Sequence, residues 1–109
     1  FGTINIVVGT DCRLTDSALA EVLLVVAEAK AAVMFEHNVK SYISGEKATG
    51  TGTDSALVFC SPENGGEISN YDSSVEQFCG KHTVLGEMFA SVVKQALTES
   101  IKGDALFRN

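Results

Sequence analysis

The chain has 109 residues, of which 45% are hydrophobic and 20% are charged, and this composition is typical of a single globular domain with a buried core. Eight basic and fourteen acidic side chains give a formal net charge of −6, which argues against non-specific binding to nucleic acid or to an anionic membrane surface. A neutral or cationic small molecule is the ligand class that this charge accommodates most easily.

Three cysteines, Cys12, Cys60 and Cys79, are odd in number and contain no C-x-x-C pair. This pattern favours free, buried thiols in a reducing compartment over a disulfide framework or a structural zinc site. We therefore expect a cytoplasmic protein. The chain begins at Phe1 without an initiator methionine and enters an apolar strand almost at once. We therefore expect either that a preceding segment was removed or that the chain is the second half of a longer polypeptide.

The first predicted elements are a strand and a long helix. Residues 3–9 (TINIVVG) are β-branched and apolar without alternation, which predicts a strand covered on both faces. A helix is predicted from Asp16 to Asn38, with Thr15, Asp16 or Ser17 as its N-cap. Its apolar residues extend beyond one face, so we expect the helix to be sandwiched within the core.

The helix is apolar enough to resemble a membrane span between residues 18 and 35, but three charged residues interrupt it: Glu21, Glu28 and Lys30. Each costs about 2.5–3.5 kcal/mol at the centre of a bilayer, which favours a buried helix of a globular domain. Glu28 and Lys30 are two positions apart and do not face each other, so each needs a partner elsewhere in the fold.

Four segments follow the long helix. Residues 39–44 (VKSYIS) predict a short second strand, and residues 55–61 predict a third strand after a loop rich in glycine and threonine. Residues 62–70 predict an exposed connection with a turn at Gly65-Gly66. Residues 71–79 predict a short irregular strand.

The last helix has the clearest pattern, an apolar stripe at helical spacing that begins after Thr83 and ends at Gly103. The stripe consists of Leu85, Met88, Phe89, Val92, Val93, Ala96, Leu97 and Ile101. Strands alternating with helices predict an α/β domain. We expect residues 1–109 to form a single, incomplete domain in which a layered mixed β-sheet is packed by two long helices.

The glycine- and threonine-rich loop lies within residues 48–59 (ATGTGTDSALVF) and does not match the known phosphate-binding loops. Gly45 and Gly50 have the interval of a Walker motif, but Thr51 stands where the motif requires lysine. The dinucleotide fingerprint requires a third glycine where Ser55 stands, and both motifs lead into a helix, whereas a strand is predicted here. A nucleotide site is therefore not favoured.

The loop nevertheless concentrates groups that can bind or react. Glycines allow backbone N–H groups to approach a ligand closely, and threonines and an aspartate add hydroxyls and a carboxylate. The alternative is a connection whose threonines bond locally to the backbone. The residues concerned are Thr49, Gly50, Thr51, Gly52, Thr53 and Asp54.

A second group of polar residues lies in residues 79–87 (CGKHTVLGE), where Thr83 is predicted to cap the last helix. Lys81 and His82 then lie at the start of the helix. A histidine facing the positive end of a helix tends to stay neutral, which suits a general base. The alternative is a surface Lys-His pair preceding a helix cap.

Four segments taken together resemble the adenosylcobinamide amidohydrolase family of the CbiZ type. They are GTINIVV at 2–8, AEAKAA at 27–32, ATGTGTDSALVF at 48–59 and CGKHTVLGEMFASVVKQAL at 79–97. The resemblance extends over nearly the whole chain, in order and at compatible intervals. It implies that the chain is the C-terminal part, roughly half, of such a protein. The missing N-terminal half or another subunit, including a second copy, would then be its protein partner.

The resemblance implies a cytoplasmic enzyme of corrinoid salvage. Such enzymes cut the amide that joins the aminopropanol arm to a propionate side chain of the corrin ring, so that adenosylcobinamide and water give adenosylcobyric acid and 1-amino-2-propanol. No separate cofactor or metal site is expected, because the cobalt arrives within the corrinoid substrate. The alternative is a non-catalytic corrinoid- or nucleotide-binding module.

Amide hydrolysis needs an activated nucleophile, donors for the oxyanion and a proton for the leaving amine. Asp54 and His82 are candidates to activate water or a hydroxyl. Thr51 or Thr53 is a candidate nucleophile or, alternatively, only holds the substrate, and Glu87 is an alternative acid. The candidates for substrate binding and oxyanion stabilisation are Thr49, Gly50, Gly52, Lys81, Thr83 and Glu87. This scheme requires the loop and the start of the last helix to meet in one cleft.

Overall fold

The computed structural model describes residues 2–61 and 75–103. Five elements follow one another along the chain, namely β1 (Asn5–Leu14), α1 (Asp16–Glu36), β2 (Ser55–Ser61), β3 (Val75–Glu76) and α2 (Val84–Gly103). The strands form a sheet in the order β2-β1-β3, and both strand pairs are parallel. A β-sheet packed by two long helices, the predicted α/β class, is confirmed. The predicted connection at 62–70 and the beginning of the irregular strand at 71–74 lie outside the described residues.

β1 is longer than the strand predicted at residues 3–9. It pairs with β2 from Asn5 to Gly9 and, after an irregularity in register, again at Arg13, and it pairs with β3 through Arg13 and Leu14. Within the irregularity, the Thr10 hydroxyl accepts a hydrogen bond from the Cys12 amide at 3.1 Å. This local bond gives the Cys12 amide a partner within the irregularity, and β1 continues beyond these polar residues to Leu14.

The residues that end α1 on either side are of types that commonly begin and end helices. The Thr15 hydroxyl accepts a hydrogen bond from the Ala18 amide at 3.1 Å, and Asp16 lies in the first turn, at the positive end of the helix dipole. The helix ends at Glu36, and Asn38 adopts a φ of 54°. An asparagine in this left-handed conformation ends helices, which explains why α1 stops two residues before the predicted boundary.

The strand predicted at residues 39–44 is wrong. This segment forms turns, and its contact with the following residues is an isolated antiparallel bridge between Lys40 and Lys47. The Ser41 hydroxyl accepts a hydrogen bond from the Ile43 amide at 3.1 Å, and the Ser41 amide donates to the Glu46 carbonyl at 2.7 Å. These local bonds fold the segment back on itself in place of an extended conformation.

Both helices pack on one face of the sheet. The even-numbered side chains of β1 point into this core, where Val8 and Leu14 contact α1 and the first half of α2, and Ile4 contacts the ends of both helices. The buried helix residues are Ala18, Val22, Val25, Val26, Ala29, Val33 and Met34 of α1 and Phe89, Ala90, Val93, Leu97 and Ile101 of α2. None of the helices in the described ranges has the length and apolar character needed to cross a bilayer.

Two expectations of complete enclosure are not met within the described residues. Leu23 and Leu24 of α1 are exposed, so the helix is buried on one side only. On the outer face of the sheet, Val7, Leu57 and Phe59 are each more than half exposed. The Phe59 ring lies over Gly9 of the neighbouring strand, where a larger side chain would overlap the ring.

Candidate functional site

Asp54 organises the glycine- and threonine-rich loop. Its Oδ1 accepts a hydrogen bond from the Ile4 amide at 3.0 Å and another from the Thr51 hydroxyl. Its Oδ2 accepts from the Thr51 amide at 2.7 Å and from Lys30 Nζ at 3.0 Å. One carboxylate thus joins three parts of the chain: the loop, the start of β1 and the second half of α1.

The four donors determine the charge of Asp54. Burial of the side chain, which is 10% exposed, raises the pKa of the carboxyl, but the hydrogen bonds from Thr51, Lys30 and Ile4 outweigh burial and lower the pKa to about 2. Asp54 is therefore ionised throughout the neutral range. A group with so low a pKa accepts a proton poorly, so Asp54 is better suited to hold Lys30 and Thr51 in place than to act as the general base.

The loop lines an open depression on the surface, which we term the loop depression. Its lining residues are Lys30, Ser41, Lys47, Ala48, Thr49, Gly50, Thr51, Gly52 and Asp54. Gly50 is fixed by close packing, because a Cβ atom there would overlap Asp54 Oδ2 and lie 2.9 Å from Lys30 Nζ. Gly52 has open space around it. The loop depression brings together five of the predicted site residues: Thr49, Gly50, Thr51, Gly52 and Asp54.

Thr53 lies apart from the loop depression. Its hydroxyl is exposed and forms a short hydrogen bond with the Thr3 hydroxyl next to β1. The bond ties the end of the loop to the chain before β1. Thr53 thus has a structural partner outside the loop depression, and Thr51 is the threonine that the carboxylate holds.

Thr83 is the N-cap of α2, as predicted. Its hydroxyl accepts a hydrogen bond from the Gly86 amide at 2.9 Å and donates to the Gly80 carbonyl at 2.7 Å. Because both functions of the hydroxyl are used within the fold, the geometry favours a structural role over the predicted role in substrate binding. Glycine is also required at position 86 by backbone packing, since a Cβ there would overlap the Gly80 carbonyl and lie 2.6 Å from the Cys79 carbonyl.

The remaining predicted residues lie on the surface at the start of α2. Lys81 and Glu87 form an exposed ion pair, and the hydrogen bond from Lys81 lowers the pKa of Glu87. A carboxyl with a lowered pKa donates a proton poorly at neutral pH, which weakens Glu87 as a candidate acid. His82 is exposed beside them.

The single cleft required by the sequence-based scheme is not formed. Asp54 bonds to Lys30, whereas the segment before His82 lies near Glu21, whose Oε2 is 3.5 Å from the position of a Cβ at Gly80. Nine residues of α1 separate these two contacts, which is about 14 Å along the helix axis. The structure therefore does not bring Asp54 and His82 together.

The parallel sheet explains this separation. Ser55 pairs with Asn5, so Asp54 lies where β1 and β2 begin. α2 follows β3, which pairs with the last residues of β1, so His82 lies near the other end. In a parallel sheet, the residues before one strand and those after another lie at opposite ends of the strands.

Four residues of the loop depression were not predicted as site residues: Lys30, Ser41, Lys47 and Ala48. Lys30 carried a signal, because a lysine inside an apolar helix without a partner on its own helix needs one elsewhere. Ser41 and Lys47 had no sequence signal that indicated a place in the site. Lys47 Nζ lies 5.3 Å from the centre of the Phe35 ring, a cation–π contact that links the loop to the end of α1.

The described ranges, 2–61 and 75–103, contain no group of three or more His, Cys, Asp or Glu side chains that could hold a metal ion. Cys12, Cys60 and Cys79 are all free thiols, and Cys79 is buried. The polar chemistry of the loop depression thus consists of two lysine ammonium groups, hydroxyls, backbone amides and one carboxylate.

Comparisons with known proteins agree on one family. A family model described as adenosylcobinamide amidohydrolase (CbiZ) matches residues 1–105. An uncharacterized protein of Methanocaldococcus jannaschii is 37% identical over 101 residues, and a protein of Halobacterium salinarum named adenosylcobinamide amidohydrolase is 32% identical over 100 residues. Each match covers 92% of this chain but 36% of the relative, so the chain spans about a third of their length. No solved structure gave a significant match. The chain therefore belongs to the adenosylcobinamide amidohydrolase (CbiZ) family.

Proposed function

We propose that this chain is part of an amidohydrolase that acts on adenosylcobinamide. Water adds across the amide bond of the aminopropanol arm: its oxygen joins the carbonyl carbon to give the carboxylate of adenosylcobyric acid, and the nitrogen leaves as 1-amino-2-propanol. The family match over residues 1–105 carries this proposal, and the relative in Halobacterium salinarum that bears the name of this activity supports it.

Within this proposal, the reaction centre includes the loop depression. Thr51 presents a hydroxyl whose position is fixed by Asp54, and Lys30 presents an ammonium group beside it. The backbone amides at Gly50 and Gly52, together with Lys30, are the donors for the developing oxyanion. Asp54 acts as a positioning residue. His82 has no part in this step, because it lies at the other end of α1, and the family's remaining length supplies the base and much of the corrin-binding surface.

A chimera of family length tests the proposal directly. This chain replaces the matching third of the Methanocaldococcus jannaschii relative, and the chimera is incubated with adenosylcobinamide. The expected products are adenosylcobyric acid and 1-amino-2-propanol in equal amounts, identified by chromatography and mass spectrometry. A corrinoid that binds with a changed absorption spectrum but releases no aminopropanol would instead indicate a binding module and would contradict the proposal.

Paired variants test the location of the centre. Thr51→Val keeps the shape of the side chain but removes the hydroxyl, and we expect at least a roughly tenfold loss of turnover in the chimera. Thr51→Ser keeps the hydroxyl and retains most of the activity if this group takes part. His82→Gln serves as the control and leaves turnover unchanged. The reverse result, loss with His82→Gln and none with Thr51→Val, would move the reaction centre to the start of α2.

A further inference from the structure

β1 lies in the middle of the sheet, yet most of one of its edges has no partner among the described residues. On one side, the Ile4 carbonyl accepts from the Ser55 amide, and the pairing with β2 continues to Gly9. On the other side, β3 pairs only with Arg13 and Leu14. Backbone groups alternate between the two sides of a strand. The N–H and C=O groups of Asn5, Val7 and Gly9 therefore face away from β2, along an edge that we term the open edge.

The open edge borders a groove whose opposite wall is α2. Residues 3–8 line one side, and α2 lines the other between Val92 and Ile101. Val7 is 65% exposed and Val92 is 61% exposed, and Ala96 and Ser100 continue the same face of the helix at intervals of four residues. The groove thus combines backbone groups that have no strand partner within residues 2–61 and 75–103 with small and apolar side chains.

This edge lacks the features that protect a natural sheet edge. Edge strands are usually short, or they carry lysine or proline that prevents pairing with another strand. β1 has ten residues, and its open edge presents Asn5, Val7 and Gly9. Parallel sheets are also normally covered on both faces, whereas the outer face of this one is exposed at Leu57 and Phe59 in the part of the chain that the structure describes.

The length of the relatives favours one class of occupant. This chain spans 36% of each matching relative, so a family-length polypeptide has nearly twice as many residues outside the matched region as within it. We propose that a β-strand from that remaining part enters the groove between β1 and α2 and pairs with the open edge at Asn5, Val7 and Gly9. β1 then has a strand partner on both sides from Asn5 to Gly9.

Hydrogen exchange resolved to single amides tests this proposal, with the alternation in β1 as an internal control. In the 109-residue chain, we expect the amides of Val7 and Gly9 to exchange rapidly, while those of Ile6 and Val8, which point towards β2, are protected. In the family-length chimera, all four are protected, and exchange at Val7 and Gly9 slows by at least about 100-fold. Sedimentation measures the oligomeric state of both proteins.

Three results would overturn the proposal. Rapid exchange at Val7 and Gly9 in a folded chimera would mean that no strand enters the groove. Protection of these amides in a dimeric 109-residue chain would identify a second copy as the occupant. Protection in a monomeric 109-residue chain would mean that the chain covers its own edge.

A pair of proline variants separates the open edge from the side that faces β2. Val7→Pro removes an amide that points into the groove, so we expect the 109-residue chain to keep its β2 pairing and the chimera to lose protection at Gly9. Val8→Pro removes an amide that points towards β2, and we expect it to destabilise both proteins. Retention of Gly9 protection in the Val7→Pro chimera would contradict strand pairing at this edge.

Discussion

At the residue scale, Asp54 contributes to stability through its ionised form. The pKa of its carboxyl falls from 3.8 to about 2 on folding because four donors stabilise the carboxylate against the opposing effect of burial. A group with a lowered pKa in the folded state stabilises the protein above its unfolded pKa and loses that contribution as pH falls through the folded pKa. The relevant window is therefore between about pH 4 and pH 2.

This dependence predicts the behaviour of Asp54→Asn. At pH 6 we expect the variant to be less stable than the parent chain by about 2 kcal/mol, which corresponds to the lowering of the pKa. The difference should shrink as pH falls from 4 to 2, since the parent carboxyl becomes protonated. Urea unfolding at a series of pH values measures it. Glu87→Gln, which removes an exposed ion pair, is the control and should change stability little at any pH. A constant difference between pH 6 and pH 2 would contradict this account of Asp54.

At the element scale, the start of α2 depends on a close approach between backbones. Gly86 packs against the carbonyls of Cys79 and Gly80, which leaves no room for a side chain. We expect Gly86→Ala to destabilise the chain by about 3 kcal/mol, because the helix must shift to admit the methyl group. Gly103→Ala is the matched control at the other end of α2, where nothing lies within 4 Å of the added atom. It should be neutral or slightly stabilising, as alanine favours the helix.

Thermal and urea unfolding of the two glycine variants measure these effects. Equal destabilisation by both substitutions would indicate a general loss of stability with alanine and would contradict the packing argument. An intact far-ultraviolet circular dichroism spectrum for Gly86→Ala is expected at low temperature, because the contact affects how α2 docks more than whether the helix forms.

The cap of the same helix gives a second prediction. Thr83→Ala should cost about 1 kcal/mol, because the Gly86 amide loses its partner and the Gly80 carbonyl keeps only the hydrogen bond from the backbone amide at position 83. Thr83→Ser retains the hydroxyl and should restore most of the stability, as measured by urea unfolding. In the chimera, activity should follow stability in both variants. A stable Thr83→Ser variant without activity would instead assign Thr83 to the substrate site.

The elements that the sequence predicts well are those with local signals. α1 and α2 have helical spacing and threonine caps, and β2 has a run of apolar residues after a glycine-rich loop. The strand predicted at 39–44 failed because the Ser41 side chain competes locally with an extended backbone. The extent of β1 was missed because its last residues pair with β3, about sixty positions further along the chain. Pairing between such distant residues cannot be recognised from the local composition of the sequence.

At the scale of the whole molecule, the sequence could not predict the distances between motifs in the folded chain. The contact between Lys30 and Asp54 spans 24 positions and combines one helix with one loop. A lysine without a partner indicated that a contact exists, but not with which residue. The predicted proximity of Asp54 and His82 was not found for a similar reason. The direction of β1 relative to β2 determines which loops lie at the same end of the sheet. Side-chain chemistry alone selected Asp54 and His82 as candidates for the same site, although they lie at opposite ends of the sheet.

Cys79 offers a way to follow the folding of the whole molecule. It is fully buried where β1, α1 and α2 meet, and burial, followed by the charges of Glu21 and Glu76, raises the pKa of its thiol. Both effects suppress the reactive thiolate. In the native 109-residue chain, we expect an aromatic disulfide reagent to label Cys12 and Cys60, which are half-buried, and to label Cys79 only through global unfolding. Cys79→Ala should therefore leave the native count at two thiols while lowering the unfolded count from three to two. Rapid labelling of Cys79 under native conditions would mean that α2 opens independently of the sheet.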